Sequence, residues 1–325
     1  MKDYGEIPGG KSELQPLLYP FHRSYPLKLW SKYRWFQNSR LPSLLPYLNK
    51  KRKWLTVIDR LGAPGDAIIT ANVTRCIKEK YLNLKINCIT PHPELIRLDP
   101  NIDSINRSET FYSFDSTYWE LIVRKENDSN IIAHNLKRLG IKKYEYKANF
   151  YLQNEEKDWA QEKVSSYKKP LIAICTKSKE PVKNWQTENW IELINFLKSK
   201  FTILHLGDDK EPFYEDVHRY AGKFTIRESA AILSTTKLFI GPDSLLMHIA
   251  NGLDISSVII FGGSRPIKSF GYSQNINLAT SPECSPCWIH DGYEKCNHNI
   301  KCLNEISVSK VIKSIQIIQS NQLND

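Results

Sequence analysis

The 325 residues are long for one hydrophobic core and suit two domains. Hydrophobic residues at 41% and charged residues at 25% exclude a low-complexity chain. No apolar run approaches the roughly 20 residues of a membrane span, and the N-terminus lacks the apolar core of a signal peptide, so the expected compartment is the cytoplasm. The formal net charge of +10 is concentrated in residues 1–53, where eleven Lys/Arg stand against three Asp/Glu.

That N-terminal arm interleaves its charges with Tyr19, Phe21, Tyr25, Trp30, Tyr33, Trp35 and Phe36. The mixture suits peripheral contact with an anionic membrane, an acidic acceptor or nucleic acid. Its plainer reading is an extension wrapped on its own domains or on a sister subunit in a homo-oligomer.

After the arm, Trp54 to Ile58 reads as a buried strand, Asp59 to Asp66 as a tight turn, and Ala67 to about Tyr81 as a helix. Asp66 sits at the helix start, where it serves as a cap or reaches the crevice. The loop is neither a dinucleotide fingerprint nor a P-loop, for it has no G-x-G-x-x-G and no Gly-Lys-Ser/Thr. Leu84 to Thr90 is the next expected strand, with further strands at Ile105 and at Ile131 to His134, closing an α/β domain near Asn149. His134 is an acceptor-side candidate, though a lone His is commonly structural.

A helix over about Asn154 to Tyr167 leads to a junction at Lys168-Lys169-Pro170, and the pattern restarts. Strand Leu171 to Cys175, helix Trp185 to Lys200, strand Phe201 to Leu206 and a helix opening near Glu211 predict a second doubly wound domain, with the ligand cleft between the two. The domains are thus expected over 54–165 and 166–325. Thr176 and Lys183 follow the first strand of the second domain, where a hydroxyl and a cation can neutralise a diphosphate leaving group. Asp208 and Asp209 end the next strand, where a carboxylate can accept from a nucleoside or simply form a turn. The run from Leu238 to Gly263 is strand, helix, strand: Asp243 and Ser244 resemble a helix N-cap, His248 lies on the second turn, and Gly262-Gly263 closes the unit. Its helix N-terminus would point at bound phosphate.

Taken together, Arg60-Leu-Gly-Ala-Pro-Gly-Asp66 with Thr70, then Thr176 and Lys183-Asn-Trp185, then Asp243-Ser244, His248-Ile-Ala250 and Phe261-Gly262 resemble glycosyltransferase family 9, the family of ADP-heptose:lipopolysaccharide heptosyltransferases. The resemblance spans about residues 54–320. It implies a GT-B fold of two Rossmann-like domains facing a central cleft, a nucleotide-sugar donor held mainly by the C-terminal domain, and inversion at the anomeric carbon without a catalytic metal. It also implies roles: Asp66 as general base, Lys183 on the diphosphate, Thr176 on a phosphate, and Asp243, Ser244 and His248 around the donor. By their position at strand ends, Asp209 and Gly263 are further donor-side candidates. Leu245 stands where the family usually has Gly, narrowing the space beside the donor, and Gly62 and Pro64 also depart from the heptosyltransferase pattern.

Cys284, Cys287, Cys296 and Cys302 form C-x2-C-x8-C-x5-C, while Cys76, Cys88 and Cys175 lie singly. In a cytoplasmic protein this spacing favours a structural tetrahedral metal over disulfides, with zinc the default and iron using the same ligands. Heptosyltransferases that modify autotransporter proteins are similar in carrying a four-cysteine iron site at this end. His290 and His298 are alternative ligands. The last helix, from near Ser307, presents Val308, Val311, Ile312, Ile315 and Ile318 at core spacing.

The expected function is therefore heptosyl transfer from ADP-heptose to a lipopolysaccharide-like acceptor at the inner membrane face. A protein or modified nucleic acid is the alternative acceptor. A non-catalytic nucleic-acid binder built on a metal knuckle and the arm is the reading from a different class.

Overall fold

The computed structural model describes residues 40–108, 112–118, 121–122, 125, 129–289 and 296–322. The aromatic part of the arm and His290 lie outside the described residues. Backbone contacts divide the chain into a first unit ending at Phe150 and a second beginning at Tyr151.

In the first unit a helix, α1, over residues 40–50 buries Leu41, Leu45 and Leu48, so this end of the arm packs on its own domain. Strand β1 (Trp54–Asp59) leads through the Gly62 turn into helix α2 (Pro64–Lys80). Proline suits the first helical position, where its missing N–H costs nothing. Every residue of α2 from Asp66 to Ile77 is buried, so this helix lies in the interior rather than on a surface. Strands β2 (Lys85–Ile89), β3 (Ser104–Ile105) and β4 (Ser113–Ser116) complete a parallel sheet of order β3-β2-β1-β4.

Two expectations for this unit change. The run Ile131 to His134 opens a helix, α3 (Ile131–Arg138), because Asn130 caps it with Oδ1 accepting from the Ala133 N–H at 2.7 Å. A four-residue apolar run cannot by itself distinguish strand from helix, and the cap decides. The strand actually used, β4, has the polar sequence Ser-Phe-Asp-Ser and no apolar run to betray it.

The second unit begins with helix α4 (Asn154–Val164), which precedes the expected Lys168 to Pro170 junction and packs on helix α6 (Ile226–Ser234) through Glu156 and Arg227. Its sheet is β5 (Leu171–Ile174), β6 (Thr202–His205), β7 (His218–Arg219), β8 (Leu238–Pro242), β9 (Ser257–Ile260) and β10 (Ile276–Leu278). All pairings are parallel, in the order β10-β9-β8-β5-β6-β7. Helices α5 (Thr187–Leu197), α7 (Leu245–Gly252) and α8 (Val308–Gln322) accompany these strands. Trp190, Leu193 and Leu197 of α5 and Val311 and Ile315 of α8 join Ile172, Ile174 and Val258 in one core.

The helix expected near Glu211 does not form. Pro212 follows directly, and the Glu211 side chain turns inward, so the chain runs as a loop into β7. The strand order reverses between β5 and β8. Such a switch point opens a crevice at the carboxyl ends of the two strands, and the loops leaving them carry the candidate residues.

Candidate active site

Residues 176–183 connect β5 to a short turn at Pro181–Lys183. Glu211 organises the start of this loop. Its carboxylate, although buried, accepts from the Thr176 N–H and hydroxyl, the Lys177 N–H at 3.0 Å and the His205 ring at 2.9 Å. Burial pushes the Glu211 carboxyl up, but His205 and then Thr176 outweigh it and hold it below its ordinary value. Thr176 is 1% exposed. Its hydroxyl donates to Glu211 and accepts from Tyr214 at 3.4 Å, so the structure places it inside as a support of the loop. Further on, Asn184 Oδ1 accepts from the Ser178 N–H at 2.7 Å and closes the loop on itself.

Lys183 is buried, with Nζ 3.1 Å from Asp243 Oδ2 and 3.3 Å from Glu180 Oε1. Gly262, after β9, makes this placement fit: a Cβ there would stand 2.6 Å from the Val182 carbonyl oxygen. Asp243 follows β8 and is buried. Burial raises its proton affinity, but Lys183 and then Arg265 outweigh burial and hold the carboxyl below the ordinary range. His248 is pushed down to about 4, first by burial, and is neutral at pH 7. Its Nδ1 lies 2.7 Å from the Tyr272 hydroxyl, whose own proton is held tightly by burial. Ser244 is the N-cap of α7 without a side-chain capping bond, and Leu245 is the first helical residue; both are half-buried. The structure thus brings Lys183, Asp243 and His248 together. Asp209 is exposed, on the loop after β6.

Gly263, next to Gly262, faces the cysteine segment. A Cβ there would stand 2.9 Å from Cys302 Cβ, and Gly263 lines one pocket of about 150 Å³ with Cys284, Cys287, Cys296, His298 and Cys302. All seven cysteines are free thiols. Burial raises the Cys302 thiol, opposed by the Gly263 and Leu303 amides, with Cys287 and Cys296 near enough to raise it further. The Ile300 N–H points at Cys296 Sγ at 3.4 Å. Among the described residues no three His, Cys, Asp or Glu side chains are drawn together closely enough to hold a metal. Four soft sulfurs on one pocket, two of them receiving backbone N–H groups, nevertheless form a donor set suited to zinc or iron.

In the first unit, Asp66 is the third residue of α2 and 7% exposed. Oδ2 accepts from the Ala63 N–H at 3.1 Å and Oδ1 from the Tyr118 hydroxyl at 2.6 Å. The positive end of the helix dipole favours a carboxylate there. Beside it, Asp59 accepts from the Gly62 N–H at 2.9 Å and the Thr90 hydroxyl at 2.9 Å. Burial, then the Asp66 charge, push Asp59 up to about 7. Thr70 hydrogen-bonds Ser116 at 3.0 Å behind the pair. His134 sits half-buried on α3. Sequence reasoning missed Asp59, Tyr118, Glu180, Glu211 and Arg265. Arg265 had a usable signal, since it follows a Gly-Gly-Ser turn at a strand's carboxyl end.

The family model for glycosyltransferase family 9 (heptosyltransferase) matches residues 114–297, more than half of the chain. Comparison with curated proteins found no match. Among solved structures, a family 9 glycosyltransferase from Veillonella parvula superposes with a TM-score of 0.63 at 16% identity, covering 82% of this chain and 96% of that one. The iron-containing dodecameric glycosyltransferase TibC of enterotoxigenic Escherichia coli gives 0.67 at 18% identity, covering 83% and 76%. Escherichia coli ADP-heptose lipopolysaccharide heptosyltransferase II gives 0.58 at 12% identity, covering 82% and 99%. These likenesses establish the GT-B fold with two Rossmann-like domains. With the family model matching more than half of its residues, the chain belongs to glycosyltransferase family 9 and is a glycosyltransferase.

Proposed function

We propose that the protein is an inverting heptosyltransferase that moves a heptose from ADP-heptose to a hydroxyl of a lipopolysaccharide-like acceptor of the cell envelope. The observation that carries this reading is the buried Lys183–Asp243 pair at the switch point of the second sheet. A cation fixed there meets the charge that develops on a departing diphosphate. TibC has been solved with ADP-heptose, which supports the choice of donor. Membership of an enzyme family sets aside the reading as a non-catalytic nucleic-acid binder.

In this mechanism the acceptor oxygen attacks the anomeric carbon while Asp66 takes its proton. The bond from that carbon to the diphosphate oxygen breaks, and its electron pair leaves with ADP, stabilised by Lys183. Asp243 holds Lys183 in place, and neutral His248 lies nearby on Tyr272. Ser244, Leu245 and Asp209 border the donor, and Thr176 supports the loop. Tyr118 and the Ala63 N–H fix the orientation of the Asp66 carboxylate. Tyr118→Phe is expected to lower kcat about tenfold with ADP affinity unchanged, as removal of one positioning hydrogen bond should; equal loss of ADP affinity would assign Tyr118 a structural role instead.

A protein hydroxyl is the second acceptor reading, favoured by the four-cysteine pocket and by the iron in TibC. Here Cys284, Cys287, Cys296 and Cys302 would hold a structural zinc or iron that ties residues 284–302 together. Both readings meet one experiment, in which the purified protein is screened by thermal shift and turnover against nucleotide sugars, with metal content read by mass spectrometry. ADP-heptose is expected to raise the melting temperature and to be slowly hydrolysed, with about one zinc, or iron, per chain. No shift with any nucleotide sugar would remove the donor assignment, and a metal-free, fully stable protein would remove the metal.

A further inference from the structure

We propose that Arg265 is a second cation for the donor's diphosphate, and that Glu180 is a resident counter-ion which holds Arg265 and Lys183 until the diphosphate replaces it. This rests on the reading of the switch-point site as a nucleoside-diphosphate site.

Four charged groups meet there. Glu180 bridges the two cations, with Oε1 3.3 Å from Lys183 Nζ and Oε2 3.1 Å from Arg265 Nη2. Asp243 holds Lys183 from the other side at 3.1 Å, and its carboxyl also feels Arg265. Two positive and two negative groups cancel. Their exposure is unequal: the side chains of Arg265, Asp243 and Lys183 are 5%, 6% and 11% exposed, while Glu180 is 28% exposed. Stranding a buried charge is costly, so of the four groups only Glu180 can leave for water cheaply. A diphosphate entering as Glu180 leaves would keep both cations paired.

Arg265 is held where it is by more than Glu180. Its guanidinium stacks over the Phe270 ring at 5.0 Å, and Phe270 packs against Trp288 at 6.5 Å. Its loop is pinned from the cysteine segment, where the Cys287 and Trp288 amides donate to the Gly263 and Ser264 carbonyls at 3.1 and 2.9 Å. A guanidinium fixed in this way offers a planar fork to phosphate oxygens, complementing the point charge of Lys183. Glu180 sits at the opposite lip, in a loop closed by Ser178 and Asn184 and turned by Pro181.

The test is calorimetric titration of the full chain with ADP and, separately, AMP. Wild type is expected to prefer ADP. Arg265→Ala should weaken ADP binding about tenfold to a hundredfold, the scale of one charged hydrogen-bonding partner, while moving AMP less than about threefold. Glu180→Gln, which removes the competitor, should tighten ADP binding at least about threefold. Arg265→Lys, which keeps the charge and loses the fork, should fall between wild type and Arg265→Ala and decides the arginine's role if the alanine variant does not fold. Equal losses for ADP and AMP, or unchanged ADP affinity in Arg265→Lys and Arg265→Ala, would overturn the arginine's role. Weaker ADP binding in a folded Glu180→Gln would overturn the counter-ion. Wild type that binds none of ADP, GDP and UDP would remove the diphosphate site itself; wild type that binds ADP, with variants that bind it equally, removes this inference alone.

Discussion

Asp66→Asn is expected to abolish transfer, lowering kcat by about 10²- to 10⁴-fold, the span that a positioned general base contributes. ADP affinity should stay within about twofold, because Asp66 belongs to the first unit and the candidate diphosphate groups to the second. The substitution is nearly isosteric. An amide oxygen can still accept from Tyr118 or from the Ala63 N–H, both of which donate to the native carboxylate. What the amide cannot do is take the proton of an attacking hydroxyl.

The same variant carries an internal control in Asp59, whose carboxyl is pushed up to about 7 by burial and then by Asp66. A folded-state value above the unfolded one means that the native state binds the proton more tightly. Stability therefore falls as pH rises from about 4 towards 7. With the Asp66 charge gone, that fall should be smaller, visible as a flatter dependence of denaturant midpoint on pH. Loss of donor binding with no change in this pH dependence would mean that Asp66 is not the base.

Much of this arrangement was legible in the sequence, and the limits have physical causes. Buried parallel strands announce themselves as apolar runs, so Trp54 to Asp59, Leu171 to Ile174 and Leu238 to Pro242 were expected within a residue or two. Residues at the carboxyl ends of those strands fall in a crevice by topology, which is why Asp66, Lys183 and Asp243 could be singled out. The sequence could not show which side chains use up their hydrogen bonds internally. Thr176, for instance, donates its hydroxyl to Glu211, 35 residues on. Nor could the sequence show that Cys302 lies against Gly263. Strand β4 and the cap of α3 depend on partners distant in sequence or on one polar side chain, and apolar periodicity is blind to both.

Lys183→Met is expected to be damaging twice over, in rate and in stability, and the two losses can be separated. For rate, losing the cation that meets the leaving diphosphate should lower kcat about 10²- to 10³-fold, the scale of one electrostatic donor in a dry site. For stability, Asp243 is 5% exposed and loses its nearest cation. Breaking a buried pair from one side costs about 3–5 kcal/mol. Arg265 remains close enough to lower the Asp243 carboxyl, so the low end, about 3 kcal/mol, is the better expectation. Adding Asp243→Asn removes the stranded charge, since the amide needs no cation. The double variant should therefore recover most of the lost denaturant midpoint and none of the lost rate. If the double variant regains activity along with stability, the Lys183 effect was merely on folding. If Lys183→Met keeps wild-type stability, the buried pair is not carrying the charge balance that the geometry assigns to it.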